Sequence, residues 1–101
     1  MATPVGLVIL AEESAEVIVE IQKADRFGFE TPVPWKPTSK YEKGSTPKSR
    51  LEDEIGDWLG TLDYVKLSGF DLDWEKILAR SRYKFEKITR IHGPPPGKRI
   101  E

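Results

Sequence analysis

Cysteine is absent from this chain, and histidine occurs once, at His92. The first absence excludes a disulfide scaffold, a thiolate zinc site and a cysteine nucleophile. The second excludes a multi-histidine metal site, so any metal must be held mainly by oxygen. Long apolar runs are missing too: none approaches the roughly 20 residues of a membrane span, and Met1–Leu10 lacks the basic start and apolar stretch of a signal peptide. Neither charge is in excess, since 16 Lys+Arg face 17 Asp+Glu for a formal net charge of -1, whereas a general nucleic-acid binder is clearly basic. The expectation is one small soluble domain of 101 residues, cytoplasmic, binding neither nucleic acid nor membrane.

What is present is charge in blocks. Residues 1–30 hold six acids and two bases, residues 31–50 five bases and one acid, residues 51–75 eight acids and Lys66, and residues 76–101 eight bases and two acids. Such blocks commonly pair as solvated faces on folding. They also allow a cation site beside an anion site.

Residues 5–26 have no Pro and only Gly6, and Leu7, Leu10, Val17, Ile18 and Ile21 recur at helical spacing, which predicts a first helix. Residues 28–49 contain Gly28, Pro32, Pro34, Pro37, Gly44 and Pro47 among Ser, Thr and Lys, a long loop that sustains neither helix nor central strand. From Arg50 to Leu67 the stripe Leu51, Ile55, Trp58, Leu59, Leu62 and Val65 predicts a second helix. A third runs to His92-Gly93 with Asp71 or Asp73 as cap and Trp74, Ile77, Leu78, Phe85 and Ile88 as its stripe. His92 itself reads as a C-terminal helix residue. Residues 93–101 are expected to form a flexible Pro-rich tail. The fold expected is all-α: a short bundle of three main helices over residues 1–92. Val8 and Val19 lie off the stripe of the first helix, so oligomerisation is expected to complete a core like a four-helix bundle. Gly56 and Gly60, four apart, suit close approach of another helix.

The chemistry is concentrated in acids. Glu13 with Glu16, and Glu54 with Asp57, are each three residues apart and so share a helical face, at the edge of the apolar stripe. Packing the two helices by their stripes makes four carboxylates converge, and converging carboxylates repel unless a cation neutralises them. Mg²⁺, with Mn²⁺ as a substitute, suits an inventory of carboxylate and water oxygens and leaves positions for phosphates.

Glu12-Glu13-x-x-Glu16 followed by Glu54-x-x-Asp57 resembles the MazG-like nucleoside triphosphate pyrophosphohydrolases of the all-α NTP pyrophosphatase superfamily. Leu10–Val17, Lys23, Arg26-Phe27-Gly28 and Leu51–Asp57 look like the small members carried by bacteriophages and prophages, and Lys84-Phe85-Glu86-Lys87 resembles the basic segment of their last helix. The resemblance covers about residues 7–28 and 50–90. It implies a Mg²⁺-dependent dimeric or tetrameric enzyme, acting in a bacterial host cell if phage-encoded, that cleaves a (deoxy)nucleoside triphosphate to the monophosphate and pyrophosphate. It further implies Glu13, Glu16, Glu54 and Asp57 as metal ligands and Glu12 as an acid that orients water.

That reaction needs water to attack the α-phosphorus, with Glu12 or Glu16 taking the proton. Lys23, Arg26, Arg80 and Lys84 are the candidates for holding the phosphate chain. Trp35 and Tyr41, loop aromatics that no core stripe claims, are the candidates for stacking on the base. Two other classes of reading stay open: a related dUTPase-like or phosphoribosyl-ATP-type pyrophosphohydrolase, and a non-catalytic helical oligomerisation or inhibitor module.

Overall fold

The computed structural model describes residues 3–97. They are all-helical, with no strand among them, in the order α1 (Val5–Phe27), α2 (Pro47–Leu67) and α3 (Trp74–His92). None of these helices is long and apolar enough to cross a membrane. The chain divides into two compact units, Met1–Phe70 and Asp71–Glu101. Of the tail expected over 93–101, residues 98–101 lie outside the described residues.

In the first unit α1 packs against α2. Gly6 lies against the side chains of Val65 and Tyr64, while Trp58 Nε1 donates to Ser14 Oγ at 2.9 Å, so the two helices run antiparallel. A Cβ at Gly6 would stand 3.0 Å from Val65 Cγ2; glycine here is what allows the close approach. The helices meet along only part of the stripes expected from hydropathy: Leu10, Val17, Leu51, Trp58 and Val65 lie on the seam, the other stripe residues off it. Ile18 and Ile21 are exposed, and the least exposed line of α1, buried or half-buried throughout, steps through Gly6, Leu10, Glu13, Val17, Glu20 and Ala24. On α2 it steps through Pro47, Leu51, Glu54, Trp58, Thr61 and Val65. Each line repeats every seven residues in two rows, the spacing of two helices in lengthwise contact. Glutamates therefore sit within the seam, whereas the sequence pattern places them at its edge.

α2 begins three residues before the expected Arg50. Pro47 fits the first helical position, where its missing N–H is no loss. Thr46 and Ser49 cap the end reciprocally, each side chain accepting from the other's backbone N–H at 3.1 Å. The expected loop 28–49 is thus corrected to 28–46. It is folded back on itself: Val33 N donates to Ser45 O at 3.0 Å, and Lys48 N donates to Phe29 O at 3.1 Å. Nothing within the described residues comes within 4 Å of a Cβ at Gly56 or Gly60, so close approach inside the chain is made at Gly6 instead.

In the second unit α3 is capped by Asp73, whose side chain accepts from Lys76 N at 3.0 Å, and by Gly93, whose φ of 86° suits glycine. No residue of α3 is buried; Ile77, Leu78, Phe85 and Ile88 of its expected stripe are exposed.

Candidate metal centre

The seam brings Glu13 and Glu16 of α1 to Glu54 of α2, with one carboxylate oxygen from each lying within 4.8 Å of the others. Opposite oxygens around an octahedral Mg²⁺ are about 4 Å apart. Glu54 is fully buried. Its Oε1 accepts from the Tyr41 hydroxyl and from Lys40 Nζ, the latter at 2.9 Å. Its Oε2, like Glu13 Oε2, is buried and accepts no hydrogen bond. Lys40 Nζ also lies 3.0 Å from Glu16 Oε2, so it bridges the two helices' carboxylates. Asp57, one turn beyond Glu54, lines a recess of about 260 Å³ together with Lys40, Tyr41, Asp53 and Glu54.

These charges act on one another. Loss of solvent at Glu13, reinforced by the charges of Glu16, Asp57 and Glu54, raises its carboxyl above the ordinary 4.5, with Lys40 opposing. At Glu54 burial pushes upward, but the hydrogen bonds donated by Tyr41 and Lys40, with the Lys40 charge, outweigh it and hold the carboxyl below its ordinary value. The hydrogen bond to Glu54 raises the Lys40 ammonium, so Lys40 stays charged at neutral pH. Burial and the Glu54 charge raise the Tyr41 phenol, which stays protonated and able to donate. A buried carboxylate oxygen without a partner, in an all-oxygen donor set, fits a hard divalent cation of the Mg²⁺ type.

The other residues singled out from sequence fall into distinct places. Glu12 is exposed, a helical step round from Glu13 and outside the cluster of Glu13, Glu16 and Glu54. Lys23 pairs with buried Glu20 at 3.5 Å, and Arg26 stands over the Phe27 ring at 5.7 Å. At about 1.5 Å per residue these two lie about 10 and 15 Å along α1 from Glu16. Arg80, which stands 4.4 Å over the Tyr83 ring, and Lys84 belong to α3 in the second unit. Trp35 Nε1 donates to Tyr41 O at 2.9 Å. The Tyr41 ring, weighed from sequence as a base platform, has the Arg50 guanidinium 4.4 Å and Lys40 Nζ 5.2 Å from its centre, and its hydroxyl is committed to Glu54.

Two contributors escape a motif-based reading: Lys40 and Arg50. Arg50, 5% exposed, donates to Ser45 Oγ at 2.7 Å and holds the Tyr41 ring in place. The basic block 31–50 is the signal in the sequence for both. Trp58, half-buried on the seam, also lines an open apolar groove of about 410 Å³ with Ser14, Val17, Ile18 and Ile55. Comparison of the chain with family models, curated proteins and solved structures gives no match.

Proposed function

We propose that this chain is a Mg²⁺-dependent pyrophosphohydrolase of the MazG-like kind its motifs resemble, converting a (deoxy)nucleoside triphosphate to the monophosphate and pyrophosphate. The observation that carries the reading is the buried, unpartnered Oε2 of Glu54 in a cluster with Glu13 and Glu16. Glu13, Glu16 and Glu54, with Asp57 beside them, would hold the cation, which supplies charge neutralisation at the phosphates and lowers the pKa of a bound water. Glu16, whose side chain is 44% exposed, borders solvent and accepts the proton of the attacking water as that oxygen bonds to the α-phosphorus and the bond to pyrophosphate breaks. Exposed Glu12 is the weaker candidate for that role. Trp35, 37% exposed, is the remaining loop candidate for a base contact.

The same reading includes a homodimer or homotetramer. Ile18, Ile55 and Leu59 are large, apolar and exposed in the first unit, and a second copy would cover them. Sedimentation equilibrium gives the copy number directly.

The deciding experiment measures pyrophosphate release from a panel of ribo- and deoxynucleoside triphosphates, with Mg²⁺ and with EDTA, in the wild type and Glu54→Gln. Release that needs Mg²⁺ and is lost in the variant supports the reaction, and the panel also separates a dUTPase-like from a broader enzyme. One observation favours a second reading, a non-catalytic helical module: the acids already have their own counter-cation in Lys40. That reading requires no release from any triphosphate and no stabilisation by Mg²⁺.

A further inference from the structure

Two recesses flank the carboxylate cluster. One, about 260 Å³, is lined by Lys40, Tyr41, Asp53, Glu54 and Asp57; the other, about 200 Å³, by Glu16, Val19, Glu20, Lys40 and Tyr41. Lys40 and Tyr41 line both, so this dipeptide of the 28–46 loop is the wall between them. Each recess alone is smaller than the roughly 300–1,000 Å³ of a typical small-molecule site. Lys40 holds its place through charge, its Nζ lying within 3.0 Å of a carboxylate oxygen of Glu16 and of Glu54. That hold is open to competition, because the Lys40 side chain is 55% exposed and its single positive charge leaves the acidic cluster under-neutralised.

We propose that Lys40-Tyr41 is a strap whose ammonium competes with the divalent cation for Glu16 and Glu54, so that cation binding lifts the strap and joins the two recesses into one groove of a size suited to a triphosphate. The proposal rests on the metal-centre reading above and adds the regulation of that site. Two positive charges cannot share Glu16 and Glu54 without repulsion, and the dication neutralises more of the acidic cluster than Lys40 does. The loop is long enough to yield: the strap lies between turns at Ser39 and Ser45, whose backbone N–H groups donate to Lys36 O and Glu42 O. Release also frees the Tyr41 hydroxyl from Glu54 and breaks the bond between Trp35 Nε1 and Tyr41 O, which makes Trp35 a reporter of strap position.

The test uses the full chain labelled with 5-fluorotryptophan, the Trp35 resonance being assigned by its loss in Trp35→Phe. Mn²⁺ affinity is read from the electron paramagnetic resonance of the free ion, and strap position from the fluorine spectrum during Mg²⁺ titration. Wild type, Lys40→Met, Lys40→Arg, Glu54→Gln and Glu16→Gln are compared. Lys40→Met should bind Mn²⁺ at least about tenfold tighter than wild type, and Lys40→Arg should return to wild-type affinity. The Trp35 resonance should move on adding Mg²⁺ to wild type and should already be displaced in Lys40→Met. Equal or weaker Mn²⁺ binding by Lys40→Met, with binding by wild type lost in either glutamate variant, overturns the strap and leaves the metal centre standing. A Trp35 resonance that ignores saturating Mg²⁺ overturns it too. No Mn²⁺ binding by wild type or Lys40→Met removes the metal centre and the strap together.

Discussion

Glu13 and Glu54 face each other across the α1–α2 seam, each with a buried Oε2 that accepts no hydrogen bond. Two such oxygens at one place cost stability unless a cation joins them. If they are the cation's ligands, replacing either carboxylate by its amide removes a ligand but keeps the shape. Glu13→Gln and Glu54→Gln are expected to lower Mg²⁺-dependent pyrophosphate release by about 100-fold or more. The rise in Tm on adding Mg²⁺ should shrink with it. Full turnover in either variant would remove that residue from the metal centre.

The opposed shifts of these two carboxyls set a pH signature. Glu13 is raised in the folded chain, so its contribution to stability is full below 4.5 and is lost as pH rises through its folded value. Glu54 is lowered, so its contribution is present above 4.5 and is lost as pH falls through its folded value. A dication relieves the Glu13 penalty. The Mg²⁺-induced Tm shift should therefore be smallest at the acid end and grow as pH rises and Glu13 ionises, which thermal melts from pH 4 to 8 with and without Mg²⁺ will show.

Ser14 and Trp58 join the helices by a side-chain bond, and Ser14 Oγ also donates to Leu10 O at 2.8 Å. Ser14→Ala leaves the indole N–H without its acceptor in a half-buried place, and a loss of about 1–2 kcal/mol in urea unfolding is expected. Trp58→Phe removes donor and ring edge together, leaving Ser14 its bond to Leu10. A Ser14→Ala stability equal to wild type would show that water replaces the bond.

Three glycines make a contrast. Gly6→Val drives a branched side chain into Val65 and Tyr64 and should cost about 1–3 kcal/mol. Gly56→Ala and Gly60→Ala meet nothing within the described residues and should each gain about 1 kcal/mol from helix propensity. A loss at Gly56 or Gly60 would instead locate a second copy on that face of α2, a result that sedimentation would corroborate.

Helix existence is local information, and it was readable: Pro and Gly punctuate the chain at 28–46, Asp73 caps α3, and apolar residues recur between. The start of α2 was misplaced because Pro47 looks like a loop residue until it is seen as the first position of a capped helix. The acid pairs were equally visible, since residues three apart share a face whatever the helix packs against. Which face packs was not visible. Hydropathy favours Ile18 and Ile21 for the seam, yet the seam runs through Gly6, Glu13 and Glu20, because small Gly6 lets the helices close where bulkier residues would not. By itself, then, the sequence determined three helices, an oxygen-only donor set and two acidic pairs. Only the tertiary structure decided that Glu54 is fully buried, that Asp57 stands beside the cluster, and that Lys40 and Tyr41, 13 or more residues from Glu54 in the chain, close on it. A loop's return path depends on long-range charge and hydrogen bonding, which local pattern does not encode.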